Sequence, residues 1–223
     1  MSPTHALASS VHIEVGRALI EGDLVVPLDA AGLVVFAHGS GSSRFSARNR
    51  SVAQVLADGG FATLLLDLLT QEEEAVDLRT MEYRFDIGRL GRRVVAALDW
   101  AAARPDLASL HPACFGASTG AAAALIAAAE RPALVRAVVS RGGRPDLAGD
   151  ALPKVKAPTL LIVGGHDEEV IELNRIAMRQ MRAPVELKIV PGATHLFEEP
   201  GTLEVVSRLA LDWCRRHVAR VNA

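Results

Sequence analysis

Short apolar runs alternate with longer segments of helical periodicity along most of the chain. In four of these runs apolar residues follow one another without a polar alternation: LVVFA (33–37), ATLLL (62–66), RAVVS (136–140) and TLLIV (159–163). Strands show this pattern when helices cover both faces of a parallel sheet. The alternation of such runs with helical segments therefore predicts βαβ units in an α/β fold.

The same pattern predicts eight strands and five helices. The strands are expected at 10–15, 23–27, 32–37, 61–66, 110–115, 134–140, 159–164 and 185–190. The helices, where apolar residues recur every three or four positions, are expected at 47–58, 86–103, 118–130, 170–182 and 202–219. No helix separates the first two strands, which predicts an antiparallel hairpin. The acidic segment QEEEAVD (71–77) is interpreted as a solvated loop or a frayed helix.

Length and charge limit the classes of protein to which the chain can belong. Its 223 residues, half of them apolar, suffice for one α/β domain, which we expect to span 1–223. The net charge of −2, with both signs interspersed, provides no field that attracts nucleic acid or an anionic membrane. A small molecule is the expected binding partner.

Signals for export, membrane insertion and disulfide bonding are not found in the sequence. The segment MSPTHALASS lacks the basic and apolar regions of a secretory signal, which favours a cytoplasmic location. The longest apolar helical run, 121–129, is shorter than the roughly 20 residues that cross a bilayer. Cys114 and Cys214 have no metal-like spacing and are expected to be buried as small apolar side chains.

The segment Gly116-Ala117-Ser118-Thr119-Gly120 matches the pattern G-x-S-x-G between an apolar stretch and an alanine-rich helical segment. A nucleophile elbow requires this order of strand, sharp turn and helix. Glycines on both sides of the serine allow the strand and the helix to approach closely. The alternative is that Ser118 only caps the helix, since serine is a preferred N-cap residue.

A serine nucleophile needs a histidine to accept its proton and a carboxylate to orient that histidine. Asp167 follows the predicted strand TLLIV, and His195 lies in the loop after the next strand. Carboxyl ends of parallel strands share one sheet edge, so Ser118, Asp167 and His195 are expected to converge there. Asp146 is the alternative acid. His166 is expected at most to support the catalytic residues without contacting the substrate.

Acyl transfer also needs N–H groups that stabilise a developing oxyanion. Thr119, directly after the serine, is expected to supply one, and Ser40 in the glycine-rich segment His38-Gly39-Ser40-Gly41 a second. His38 in the same loop is a candidate substrate contact. The alternative, a phosphate-binding loop, is disfavoured because the spacing G-x-x-x-x-G-K-[ST] is absent.

The segments FAHGSGSSR, GFATLLLDLL, GASTG, VSRGGRPDL, LLIVGGHDEEV and PGATHLFEEPG together resemble the α/β-hydrolase superfamily, and within it the dienelactone hydrolase-like branch. The resemblance covers nearly the whole chain. It implies an eight-stranded sheet, a triad of Ser118, His195 and Asp167, and no cofactor. The sequence departs from the branch at the elbow, where dienelactone hydrolases proper have cysteine, so their lactone substrate is not carried over.

About 18 residues separate the strand ending near Ser140 from the strand beginning at Thr159, too few for a large helical lid. We therefore expect a minimal cap and an open site. Arginines are expected near its mouth and could bind a carboxylate or phosphate, Arg44 and Arg141 above all, with Arg48 and Arg144 beside them. The alternative is that these arginines are solvated or paired with the acidic 71–77 segment.

The sequence thus predicts a serine hydrolase that cleaves a carboxylic ester, lactone or thioester of a small molecule through an acyl-enzyme. A catalytically silent α/β-hydrolase fold that binds a ligand or a protein is the alternative. Metal-dependent hydrolysis by His38, His166, Asp167 and His195 is less favoured, since no two of these residues have the helical i, i+4 spacing of a ligand pair. The sequence leaves a homodimer open.

Overall fold

The alternation of strands and helices is present in the structure, a computed structural model that describes residues 7–219. The strands are β1 (Leu7–Val15), β2 (Ala18–Val26), β3 (Leu33–Ala37), β4 (Ala62–Leu66), β5 (Pro112–Ala117), β6 (Ala137–Arg141), β7 (Thr159–Gly164) and β8 (Val185–Val190). The helices are α1 (Ala47–Asp58), α2 (Gln71–Thr80), α3 (Ile87–Ala103), α4 (Thr119–Glu130), α5 (Glu168–Gln180) and α6 (Thr202–His217). A 3-10 segment, Pro145–Lys154, connects β6 to β7.

All eight strands form one sheet in the order β1-β2-β4-β3-β5-β6-β7-β8. As predicted, β1 and β2 form an antiparallel hairpin, and β2 also pairs antiparallel with β4. The remaining pairs are parallel. The carboxyl ends of β3, β5, β6, β7 and β8 therefore lie along one edge of the sheet.

Helices cover both faces of the sheet, which explains the uninterrupted apolar runs. On one face α3 and α4 pack over the strands, together with the 3-10 segment. On the other face α1 and α6 pack over them, around the buried rings of Phe36, Phe115 and Trp213. Six of the seven alanines of α4 are fully buried between the sheet and α3. Their small side chains allow the helix to lie close to the strand end at which Ser118 is placed.

The acidic segment differs from its interpretation as a solvated loop or frayed helix. Residues 71–80 form a regular helix, α2, and Thr70 and Glu73 close its first turn as a capping box. Asp77 is fully buried near the other end and accepts hydrogen bonds from the backbone N–H groups of Tyr83 and Arg84. The Arg84 guanidinium adds an ion pair of 2.6 Å. These contacts define both ends of α2.

Other sequence expectations concern burial and membrane crossing. Cys114 and Cys214 are free and buried, as expected, and burial raises the pKa of each thiol to about 12. Within 7–219, the structure contains no helix with the length and apolar character that a membrane crossing requires.

Candidate active site

Ser118 forms the turn between β5 and α4. Its backbone has φ 50° and ψ −123°, a region that residues with a side chain rarely adopt. Its hydroxyl makes no capping hydrogen bond to the helix. The helix-cap alternative therefore does not describe this serine, whose half-buried hydroxyl remains uncommitted.

The two glycines of the G-x-S-x-G segment are required by close backbone contacts. A Cβ on Gly116 would lie 2.3 Å from the Cα of Ala121 in α4. A Cβ on Gly120 would lie 2.2 Å from the carbonyl oxygen of Ala37 at the end of β3. Both distances are impossible for real atoms, so the turn can form only with glycine at these positions.

Asp167 and His195 meet at the ends of β7 and β8. The Nδ1 of His195 lies 2.6 Å from the Oδ2 of Asp167. Asp167 directly precedes α5 but makes no side-chain cap bond to it, so its carboxylate is available to the imidazole. With Nδ1–H donating to Asp167, the Nε2 of His195 carries a lone pair that can accept a proton.

His195 reaches the neighbourhood of Ser118 through the end of β6. A Cβ on Gly142 would lie 3.6 Å from the Cε1 of His195, so the ring lies next to this glycine. The preceding residue, Arg141, accepts a hydrogen bond of 3.3 Å from the Ser118 N–H. Among residues 7–219 no hydrogen bond joins the Ser118 hydroxyl to His195. Such bonds are often long in unliganded sites and shorten when substrate binds.

The two expected oxyanion donors are adjacent to each other and to Ser118. The hydroxyls of Ser40 and Thr119 are hydrogen-bonded at 3.0 Å. A Cβ on Gly39 would lie 2.9 Å from the Cβ of Ser118, so the loop after β3 directly contacts the serine. In the described part of the chain, neither the Ser40 nor the Thr119 backbone N–H is engaged in a hydrogen bond. Both remain available to an oxyanion.

His38 has a different environment from the one expected of a substrate contact. Its Nδ1–H donates to the carbonyl of Gly39 at 2.8 Å, and its Nε2 accepts from the Leu68 N–H at 3.0 Å. Burial lowers the pKa of His38, which favours the neutral ring that this pattern requires. Both ring nitrogens are used to join the loop after β3 to the end of β4. This arrangement argues against a substrate contact through the ring nitrogens.

Arg44 is surrounded by carboxylates rather than exposed to a ligand. Its guanidinium pairs with Glu21 at 2.6 Å, with Asp23 at 3.4 Å and with Asp67. Its backbone N–H also donates to Asp67 at 2.7 Å. Three carboxylates more than neutralise one cation, so the structure argues against anion binding by Arg44. The side chain instead fixes the loop that precedes α1.

The remaining arginines differ from one another in their pairing. Arg144 forms a two-point ion pair with Asp146. The carboxylate of Asp146, the alternative acid, is therefore bound to Arg144 rather than to His195. Arg48 pairs with Glu198 at 3.1 Å. Arg141 is buried and has one hydrogen-bonded side-chain neighbour, Asn49.

A cleft of about 620 Å³ opens beside the loop after β3. It lies between this loop and α2, and its wall combines apolar and polar side chains: Phe45, Leu69, Leu78, Ser42, Asp67 and Glu74. Arg84 lies over the same loop, since a Cβ on Gly41 would be 3.3 Å from its Nη1. The sequence did not predict these contributions, because residues 71–77 were interpreted only as a solvated loop or a frayed helix. The spacing Thr70-x-x-Glu73, typical of a capping box, was the available signal.

Within the described ranges, no three His, Cys, Asp or Glu side chains are grouped as metal ligands.

The model of the dienelactone hydrolase family matches residues 20–215. The chain belongs to the dienelactone hydrolase family. The fold and the family together support a hydrolase.

Two solved structures match most of the chain. A crystal structure named as dienelactone hydrolase from Anabaena variabilis has 57% identity and a TM-score of 0.94, with 96% of this chain and 99% of that chain covered. A dienelactone hydrolase-like promiscuous phosphotriesterase from metagenomic libraries has 21% identity and a TM-score of 0.77, with 96% and 99% covered, and it supports the fold alone.

Two Mycobacterium tuberculosis proteins named "Putative phosphoribosyl transferase" are 58% identical over 208 residues, which cover 93% of this chain. The chain spans 46% of their length. Their name therefore describes proteins about twice as long as the region that matches here.

Proposed function

We propose that this protein is a serine hydrolase that cleaves a carboxylic ester, lactone or thioester of a small molecule. The observation on which the proposal rests is the backbone of Ser118 at φ 50°, which presents an uncommitted hydroxyl at the start of α4. A helix N-terminus favours negative charge, which develops at this point during acyl transfer. Asp167 and His195 supply the acid–base pair that such a hydroxyl needs.

The mechanism proceeds through an acyl-enzyme. As the Ser118 oxygen attacks the carbonyl carbon, its proton passes to His195 Nε2, and Asp167 stabilises the imidazolium. The N–H groups of Thr119 and Ser40 donate to the oxyanion, and loss of one such donor costs about 3 to 4 kcal/mol in characterised enzymes. His195 then protonates the departing alcohol or thiol. Water attacks the acyl-enzyme, gives a proton to His195, and the Ser118 oxygen leaves with that proton.

The site is open, and its shape favours a small substrate. The connection between β6 and β7 is a 3-10 segment of ten residues and provides no helical lid. The cleft between α2 and the loop after β3 is lined by residues of the same loop that contacts Ser118, and it can hold the part of the substrate that does not react. Because serine replaces the cysteine of dienelactone hydrolases proper, their lactone substrate is not carried over, and the particular ester, lactone or thioester stays open.

Labelling by a fluorophosphonate probe tests the proposal, because only an activated serine reacts with it. We expect wild type to be labelled and to hydrolyse p-nitrophenyl butyrate, and Ser118→Ala to lose both properties. Ser9→Ala, which changes an exposed serine of β1, is the matched control and should keep both. A wild-type protein that is neither labelled nor active on esters, lactones or thioesters would favour the catalytically silent fold. Equal turnover by wild type and Ser118→Ala would assign the nucleophile elsewhere.

A further inference from the structure

Arg141 is a buried cation whose hydrogen-bonding capacity is largely unused. Only 7% of the residue is exposed at the end of β6. Its Nη2 donates to the Asn49 side chain at 3.2 Å, whereas its Nε and Nη1 are buried without a hydrogen-bond partner. No carboxylate within 7–219 forms an ion pair with it. Buried guanidinium N–H groups without acceptors are costly, so the site is built for an acceptor that the chain itself does not supply.

A second arginine increases the positive charge at this position. Arg48 precedes Asn49 on α1, and its Nε is also buried without a partner. Burial, followed by the charge of Arg48, lowers the pKa of Arg141 to about 10. The single carboxylate paired with Arg48 belongs to Glu198, which is largely exposed. Two adjacent cations with three unpartnered guanidinium nitrogens are an arrangement that favours an oxyanion.

This pair lies directly beside the reacting groups. The Arg141 carbonyl oxygen accepts the Ser118 N–H, and the next residue, Gly142, contacts the His195 ring. Glu198 belongs to the same loop as His195. The Arg141 guanidinium contacts α1 through Asn49, and Arg48 on α1 pairs with Glu198 from the loop that holds His195. Both arginines therefore belong to the same sheet edge as Ser118 and His195.

We propose that Arg141 and Arg48 form an anion subsite beside Ser118, which binds a carboxylate or phosphate group carried by the substrate. The proposal rests on the hydrolase function proposed above and specifies its substrate class. The opposite cleft contains Asp67 and Glu74, and burial raises the pKa of Glu74. An acidic wall disfavours an anion there, so the substrate has its anionic end toward α1 and its neutral part toward α2.

Two matched esters test the subsite by turnover. Mono-p-nitrophenyl glutarate carries a terminal carboxylate, and p-nitrophenyl pentanoate is its neutral counterpart. We expect wild type to show a kcat/KM ratio of at least about tenfold in favour of the glutarate, as expected for charge-assisted hydrogen bonds. Arg141→Gln and Arg48→Gln should each lower this ratio toward one, and Arg141→Lys should retain part of it. Arg179→Gln, an exposed arginine at the end of α5, is the control of equal charge and should keep the wild-type ratio.

Ligand binding tests the subsite without turnover. At constant ionic strength, glutarate or inorganic phosphate should raise the Tm of wild type and of Ser118→Ala, but not that of Arg48→Gln. A response to only one of the two ligands identifies carboxylate or phosphate as the group bound. If glutarate or phosphate raises the Tm of a wild type that hydrolyses no ester, the anion subsite is supported and the proposed hydrolysis is rejected. Hydrolysis through Ser118 with equal ratios in all variants and no stabilisation by either anion would reject the subsite alone.

Discussion

At the residue scale, Ser118 combines a chemical role with an unfavourable backbone. Its φ of 50° and ψ of −123° place it where strain of roughly 1 to 3 kcal/mol is typical for a residue with a Cβ. We predict that Ser118→Gly is about 1 kcal/mol more stable than Ser118→Ala, because both lose the hydroxyl but only glycine relieves the strain. Urea unfolding of the two variants measures the difference. An alanine variant that equals or exceeds the glycine variant in stability would show that the turn is not strained.

The sequence predicted the surroundings of a site residue well only where its neighbours are close to it along the chain. The elbow was predictable because its glycines and serine lie within five consecutive residues, with the strand directly before them and the helix directly after. The environment of Arg44 was not, since its carboxylates come from β2 and from the residue after β4. The same holds for His38, whose Nε2 accepts a hydrogen bond from Leu68, thirty positions away. Residue type predicted an anion contact for Arg44 and a substrate contact for His38, but tertiary packing uses both side chains in structural bonds.

His38 leads to a prediction about the pH dependence of stability. Burial lowers the pKa of His38 from 6.5 in the folded chain. Below about pH 6.5, His38 therefore binds a proton more readily in the unfolded chain than in the folded chain. Its contribution to stability is complete above pH 6.5 and is lost as the pH falls from there toward the folded-state pKa. One proton contributes at most about 1.4 kcal/mol per pH unit.

We therefore predict that His38→Gln is less stable than wild type at pH 7.5 and loses less stability on acidification. Urea unfolding at pH 7.5, 6.5, 6.0 and 5.5 gives the two slopes. His12→Gln, which changes an exposed ring of β1, is the control and should follow wild type. Parallel slopes for wild type and His38→Gln would show that His38 is not held neutral.

At the element scale, the strands and five of the six helices followed from hydrophobic periodicity, with bounds within a few residues. The sixth, α2, was expected only as a solvated loop or a frayed helix, because one of its ten residues, Asp77, is buried and the helix has no apolar stripe. Its stability comes from polar contacts at its ends: the capping box at Thr70 and the pairing of Asp77 with Arg84. Helices held by such contacts do not show the 3.6-residue apolar period from which helices are predicted.

Asp77→Asn tests whether this polar anchor stabilises the molecule. Burial alone would raise the pKa of Asp77, but hydrogen bonds from the N–H groups of Arg84 and Tyr83 lower it overall. The contribution is therefore present above about pH 4 and is lost at lower pH as the carboxylate is protonated. We predict a loss of about 3 to 5 kcal/mol at pH 7, because a buried ion pair loses one partner. The free energies of unfolding of the two proteins should approach each other below pH 4.

Glu74→Gln provides the matched control for this variant. Glu74 lies on the same helix, but burial raises its pKa, so removal of its charge should leave stability at pH 7 unchanged or slightly increased. Equal losses for Asp77→Asn and Glu74→Gln would indicate a general sensitivity of α2 to its charge rather than a specific anchor.

At the scale of the whole molecule, the site depends on the order of the strands in the sheet. Ser118, Asp167 and His195 follow β5, β7 and β8, and the parallel pairing of β5 with β6, β6 with β7 and β7 with β8 brings these ends to one edge. The rule that carboxyl ends of parallel strands share an edge was sufficient to predict this convergence. It could not predict the cleft beside α2 or the burial of Arg141, because both depend on how helices pack over the edge.

The choice between the two candidate acids follows from the same strand order. Asp167 follows β7, next to β8, and lies 2.6 Å from the His195 ring, whereas Asp146 lies in the connection after β6 and is paired with Arg144. We predict that Asp167→Asn lowers kcat for a p-nitrophenyl ester by roughly 10⁴-fold, as in characterised triads, because the amide no longer holds the required tautomer.

Asp146→Asn is the matched control and should change kcat less than about threefold, since it removes a surface ion pair. Circular dichroism and urea unfolding show whether each variant keeps the fold. A large loss of kcat in Asp146→Asn with little change in Asp167→Asn would reverse the assignment of the acid. It would also imply that His195 turns toward β6 during the reaction, away from the partner it has in the resting site.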